Sequence, residues 1–154
     1  MPLKSSPRTP GRSNSILLTD SSAWVEYLRA TGSRADLRIR ELIGGDRLAV
    51  TEPGVMEICT GAERDDHERK LRELLLRYPV LHVDPRLDFD LAVSIYRNCR
   101  AAGITPRGLI DCMIAAVALC HGAALLAFDR GLAAIARVVD LPLDRHSLYG
   151  RGTR

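Results

Sequence analysis

The chain has 154 residues and a mass of 17.0 kDa, a size that fits one domain with a buried core. Hydrophobic residues make up 46% and charged residues 27%, which is typical of a globular chain rather than a disordered one. No apolar stretch approaches the ~18 residues of a membrane-spanning helix, and the N-terminus lacks the apolar stretch of a signal peptide. The composition therefore argues against membrane and secreted proteins and predicts a cytoplasmic location.

The formal net charge of +3 is unevenly distributed along the chain. Residues 1–15 and 145–154 each contain three basic residues and no acidic residue, whereas residues 16–144 carry a net charge of −3. This distribution differs from the basic stripe expected of a simple nucleic-acid-binding module. An acidic body of this kind could gather cations, while the basic ends could contact phosphates.

The predicted elements alternate between short apolar strands and helices. Residues 1–15 are rich in Pro, Ser and Arg and are expected to form a flexible extension, followed by a folded domain over 16–146 and a basic tail over 147–154. Within the domain the pattern predicts, in chain order, a strand at 16–19, helices from 21 and over 34–44, a strand at 47–50, helices from 51 and over 65–77, a strand at 80–83, helices over 88–102 and 109–121, a strand at 124–128, a helix over 130–138 and an edge strand at 141–143.

The strands are apolar throughout, a pattern typical of parallel strands that are covered on both faces of a sheet. Helices separate successive strands, which favours the same architecture. The predicted fold class is therefore α/β, with a central, mostly parallel sheet of about five strands and helices on both faces.

Acidic residues follow several of the predicted strands. Asp20 comes directly after the first strand and Asp129 directly after the strand at 124–128. Glu57 lies in the helix that leaves the second strand, and Asp111 lies in the first turn of the helix that leads into 124–128. Because ligands of parallel α/β folds bind beyond the carboxyl ends of the strands, these four acids are expected to converge at one edge. Three further acids could reach the same edge by this argument, namely Glu52, Asp84 and Asp88.

A cluster of like charges needs a cation, hydrogen bonds or protonation. Helix N-terminal amides could satisfy Asp111 alone, and Asp20 alone could serve as a helix cap. Several carboxylates at one edge favour a divalent cation, and oxygen-only ligands favour Mg²⁺ or Mn²⁺. Such acidic metal sites commonly carry out phosphoryl chemistry. Arginines near this edge could contact phosphates, although each is also explained as a solvated surface charge; they are Arg97, Arg107 and Arg130.

Four segments of the sequence resemble the motifs of PIN-domain ribonucleases, and their order and spacing are most similar to VapC-type toxins of bacterial toxin–antitoxin systems. The segments are LLTDSSAW (17–24), TEPGVMEI (51–58), LIDCMIAAVAL (109–119) and LLAFDRGL (125–132). The resemblance implies a PIN-like three-layer sandwich over residues 16 to about 146. Carried over by position, the acidic quartet of the family falls on Asp20, Glu57, Asp111 and Asp129, and Ser22 matches the residue that supports the first acid.

The implied activity is metal-dependent endonucleolytic cleavage of RNA, with the quartet as catalytic residues and as ligands of Mg²⁺ or Mn²⁺. The resemblance also implies a homodimer and a cognate VapB-type antitoxin, with which the toxin forms a heterotetramer or larger assembly. Gly131 and Phe128 depart from the pattern of many relatives, and these departures concern a second metal site rather than the first. An alternative function is that of a degenerate PIN module, which would bind RNA or a partner without cleavage.

Overall fold

The structure is a computed structural model and describes residues 15–150. Within this range the chain forms seven helices and three strands. In chain order they are β1 (Leu17–Thr19), α1 (Ser21–Leu28), α2 (Arg34–Leu42), β2 (Leu48–Ala49), α3 (Glu52–Thr60), α4 (Asp65–Leu75), α5 (Asp88–Ala101), α6 (Leu109–Cys120), β3 (Ala124–Leu126) and α7 (Arg130–Val138). None of the helices in residues 15–150 combines the length and apolar character needed to cross a membrane.

The strands form one parallel sheet in the order β2-β1-β3. In this register, Leu18 of the central strand lies beside Ala49 on one side and Leu125 on the other. The prediction of an α/β fold with a parallel sheet is therefore confirmed.

The prediction of about five strands is wrong for residues 15–150, where the sheet has three. The segments predicted at 80–83 and 141–143 each contribute only one parallel bridge, Val50 with Val80 and Leu125 with Leu143. A proline directly precedes the bridging residue of each segment. The carbonyls of Pro79 and Pro142 accept hydrogen bonds from the N–H groups of Val50 and Leu125, but neither proline has an N–H to donate. The hydrogen-bond ladder cannot extend through either proline, so neither segment becomes a full strand.

Successive residues of the sheet enter two separate hydrophobic cores. Leu17 and Leu126 pack with Trp24 and the helices α1 to α4, whereas Leu18 and Leu125 pack with α5, α6 and α7. This division follows from strand geometry, which points neighbouring side chains to opposite faces. Both faces of the sheet are thus covered by helices, and the apolar strands of the sequence are explained.

The first residues of the expected C-terminal tail contact the folded domain. Ser147 is fully buried, and its Oγ donates to the Leu125 carbonyl while accepting from the Ala127 N–H, both at 3.1 Å. The Leu148 N–H donates to the Ala127 carbonyl, and Arg34 donates to the Ser147 carbonyl. Residues 147 and 148 are therefore hydrogen-bonded to the segment 125–127 and to Arg34, while residues 151–154 of the expected tail and residues 1–14 of the expected extension lie outside the described residues.

Candidate active site

The four acids of the expected quartet line one cavity of about 400 Å³ at the carboxyl edge of the sheet. Each comes from a different segment: Asp20 caps α1, Glu57 lies on α3, Asp111 lies in the first turn of α6 and Asp129 caps α7. A larger cavity of about 520 Å³ lies against α3 and α4, but none of these four acids lines it. The chemistry of the lining, rather than volume, therefore identifies the smaller cavity as the candidate site.

Asp20 is the most buried member of the quartet, with 4% of its surface exposed. Its Oδ2 accepts hydrogen bonds from the backbone N–H and the Oγ–H of Ser22, at 3.0 and 2.5 Å. Its Oδ1 is buried and has no hydrogen-bond partner in the part of the chain that the structure describes. Burial raises the pKa of Asp20 above its ordinary value despite the bonds from Ser22. A buried carboxylate oxygen without a donor is costly, and a cation or a proton would relieve that cost.

Ser22 fixes the position of this carboxylate. While its hydroxyl donates to Asp20, its Oγ also accepts the backbone N–H of Phe128 at 2.8 Å. Phe128 directly precedes Asp129, so one serine joins the cap of α1 to the segment that carries the fourth acid. The expected supporting role of Ser22 stays a prediction, and this pair of contacts gives it a physical basis.

Glu57 and Asp111 are partly buried near Asp20. Burial, followed by the negative charge of Asp20, raises the pKa of each carboxyl group to about 6. The Ser21 hydroxyl donates to Glu57 Oε1 at 3.2 Å and partly opposes that shift. The raised pKa values of both groups are typical of a crowded acidic site, because nearby like charges disfavour ionisation.

Asp129 behaves differently from the other three acids. Its Oδ1 accepts the Leu132 N–H at 2.9 Å, and its Oδ2 accepts a hydrogen bond from the guanidinium of Arg107. Burial alone would raise its pKa, but the hydrogen bonds and positive charge of Arg107 hold the pKa of Asp129 below its ordinary value. The sequence places Arg107 near the edge but gives no indication of this pairing, because the partners are 22 residues apart.

The sequence also allows three further acids to reach this edge, namely Glu52, Asp84 and Asp88, but they do not line the cavity. Glu52 accepts the Val83 N–H at 3.0 Å and lies 2.6 Å from Nδ1 of His82. Asp88 accepts the Asp84 N–H at 2.7 Å, and Asp84 accepts the Arg86 N–H at 3.0 Å. These contacts place all three acids in turns and at helix starts, outside the lining of the cavity.

The donor set of the cavity fits a hard divalent cation. In residues 15–150 no three His, Cys, Asp or Glu side chains form a ready-made metal cluster. Mg²⁺, however, is usually held by one or two carboxylates together with waters and substrate phosphates, rather than by an all-protein cage. The four carboxylates of the lining and the unpaired Oδ1 of Asp20 suit that mode of binding.

Known proteins resemble this chain both in sequence and in fold. Ribonuclease VapC11 of Mycobacterium tuberculosis and VapC ribonuclease Mb1587 of Mycobacterium bovis are each 44% identical to it over 128 residues, which is 82% of this chain and 96% of each relative. Among solved structures, FitAcB from Neisseria gonorrhoeae superposes with a TM-score of 0.67 at 20% identity, covering 85% of this chain and 98% of that one.

VapBC2 from Rickettsia felis, solved with a DNA fragment from its promoter, superposes with a TM-score of 0.66 at 14% identity over 84% of this chain and 97% of the other. At these identities the solved structures establish the fold alone. The family model of the PIN domain matches residues 17–138, which contain all four acids of the cavity. Together with the 44% identity to VapC ribonucleases, this match shows that the chain belongs to the PIN domain family.

Proposed function

We propose that this protein is a metal-dependent endoribonuclease and the toxin of a toxin–antitoxin pair. The observation that carries the proposal is the convergence of Asp20, Glu57, Asp111 and Asp129 on one cavity, with an unpaired buried oxygen on Asp20. Relatives named as VapC ribonucleases at 44% identity support the same activity. The cytoplasm, which holds the RNA, is the proposed location.

The residues of the cavity would contribute to cation binding in different ways. Asp20 would offer its Oδ1, while Ser22 keeps Oδ2 occupied and the carboxylate in place. Glu57 and Asp111 would add negative charge, and a cation at their oxygens would favour the ionised form of each. When bound, Mg²⁺ or Mn²⁺ supplies an activated water and neutralises developing charge on a phosphate.

The proposed partner is a VapB-type antitoxin, bound by a homodimer of this chain in a heterotetramer or larger assembly. The solved structures of similar fold include VapBC complexes from several bacteria, which supports such a pairing for this chain. A non-catalytic PIN module is the alternative. It is less well supported because all four acids are present and line the same cavity.

Cleavage by the purified chain, freed of any partner, tests the activity. With total RNA and Mg²⁺ or Mn²⁺, we expect new 5′-phosphate ends that disappear in excess EDTA. Asp111→Asn should abolish cleavage, because an amide cannot supply the negative charge that a divalent ion requires. Asp84→Asn is the matched control, since Asp84 lies outside the cavity and should leave the rate unchanged.

The folded state of each variant can be verified by circular dichroism before the rates are compared. Cleavage that persists in EDTA, or in Asp111→Asn, would contradict the metallonuclease proposal. RNA binding without cleavage in metal-replete buffer would instead establish the non-catalytic alternative.

A further inference from the structure

The cavity wall contains one cation among its described residues, and that residue is Arg107. It lies in the segment before α6, with 70% of its side chain exposed, and a terminal nitrogen (Nη2) of its guanidinium donates to Asp129 Oδ2. Its Nε and its other terminal nitrogen make no hydrogen bond to any described residue. A guanidinium has five N–H donors, so this contact leaves most of its capacity free at the cavity.

Gly131 provides the space in which Arg107 and Asp129 meet. A Cβ atom at position 131 would lie 3.1 Å from Asp129 Oδ1 and 3.4 Å from both Nε and Nη2 of Arg107. A side chain at this position would therefore crowd both partners of the ion pair. The absence of one allows the guanidinium to lie against the first turn of α7.

The charges of the cavity create a problem for an RNA substrate. A phosphate that enters a space lined by four carboxylates is repelled unless cations compensate. Arg107 is a cation at that place, and its 70% exposed side chain is held only weakly by an ion pair that solvent screens. Guanidinium groups also bind phosphate oxygens in a bidentate manner.

Resting on the endoribonuclease activity proposed above, we propose that Arg107 binds a phosphate group of the RNA in this cavity, and that Asp129 holds Arg107 in place until RNA arrives. The exchange of partners would free Asp129 Oδ2 at the moment when the substrate is bound. Arg107 is then a substrate-binding residue, and its pairing with Asp129 is a resting position.

Two binding measurements with opposite expected results test this role. The first is the affinity for a fluorescent single-stranded RNA in EDTA, measured by anisotropy over a series of salt concentrations. Arg107→Gln should weaken binding about tenfold, the effect of losing one charged hydrogen-bonded contact. The slope of log K against log salt should fall by about 0.7, which corresponds to the loss of one phosphate contact.

The second measurement is the affinity for Mn²⁺ without RNA, by calorimetry. Arg107→Gln should bind Mn²⁺ at least as tightly as wild type, because Asp129 has lost its competing cation. Arg86→Gln is the matched control: Arg86 also forms an exposed pair with an aspartate, Asp84, but does not line the cavity. It should leave both affinities unchanged.

Unchanged RNA affinity and salt slope in Arg107→Gln would overturn the proposed phosphate contact. Weaker binding of both RNA and Mn²⁺ would also overturn it, because that result indicates that Arg107 only keeps Asp129 in position. If wild type binds RNA through Arg107 but never cleaves it with Mn²⁺, the contact stands and the nuclease activity is refuted. The two proposals can therefore fail separately.

Discussion

Four carboxyl groups of the same cavity have different properties because their immediate surroundings differ. Asp20 is buried with one oxygen unpaired, and Glu57 and Asp111 have pKa values raised to about 6 by burial and by the charge of Asp20. Asp129 has a lowered pKa because Arg107 lies against it. At the residue scale, the cavity is therefore an anionic site in which one carboxylate, that of Asp129, is neutralised by Arg107.

Glu57 and Glu52, on the same helix, provide a direct test of this assignment. Glu57→Gln should reduce the cleavage rate by at least ~100-fold, the order of effect of losing one well-placed electrostatic group. Glu52→Gln should change the rate little, because Glu52 is half exposed and contacts His82 and Val83 instead of the cavity. The measurement is the initial rate on one RNA at saturating Mn²⁺. An inactive Glu52→Gln variant together with an active Glu57→Gln variant would show that Glu52, and not Glu57, is the active-site acid of this helix.

At the scale of elements, the junctions between strands and helices build the site. Asp20 and Asp129 are the N-caps of α1 and α7, and Asp111 lies in the first turn of α6. The N-terminal ends of these helices carry partial positive charge, which offsets part of the repulsion among the acids. β3 also ends early at these junctions, since the N–H groups of Ala127 and Phe128 donate to the hydroxyls of Ser147 and Ser22.

These two serines form a matched pair for mutation. Ser22→Ala and Ser147→Ala should each lower the free energy of unfolding by about 1–3 kcal/mol, because each leaves a backbone N–H without its partner. Only Ser22→Ala should also slow cleavage, since Ser22 alone holds the Asp20 carboxylate. Denaturant unfolding and initial cleavage rates provide the comparison. Equal loss of rate in both variants would indicate a general effect on folding and argue against a specific role for Ser22.

At the scale of the whole molecule, the metal-free cavity should reduce stability at neutral pH. The pKa values of Glu57 and Asp111 are about 6 in the folded chain, against ordinary values of 4.5 and 3.8. Between about pH 4 and pH 6 the folded state therefore binds more protons than the unfolded state. The contribution of these groups to stability is present at low pH and is lost as the pH rises through 6.

Asp111→Asn should therefore raise the melting temperature at pH 7 and have little effect at pH 4. Millimolar Mn²⁺ should raise the melting temperature of wild type at pH 7 by mass action, and raise that of Asp111→Asn less. Thermal scans of the metal-free protein at both pH values, with Asp84→Asn as control, provide the measurement. A wild-type melting temperature that is insensitive to Mn²⁺ would contradict a clustered cation site.

The order of the helices, three of the strands and the placement of acids at strand ends could be predicted from the sequence. These are local properties: apolar runs and helical periodicity identify the elements, and Asp20 and Asp129 directly follow two of the strands. Strand position alone left Glu52, Asp84 and Asp88 as rivals, and the family resemblance favoured Glu57. The tertiary structure places Glu57 in the cavity and the rivals outside its lining.

Only the tertiary structure decided how many strands the sheet has and how the cavity is charged. Pro79 and Pro142 reduce two predicted strands to single bridges. This result depends on the tertiary structure, because it requires each proline to face the neighbouring strand with the side of its backbone that lacks an N–H. The Arg107–Asp129 pair and the Ser22–Phe128 bond join residues 22 and 106 positions apart. Such contacts have no periodic signal along the chain, because they arise only when packing of the two hydrophobic cores brings distant loops to the same edge.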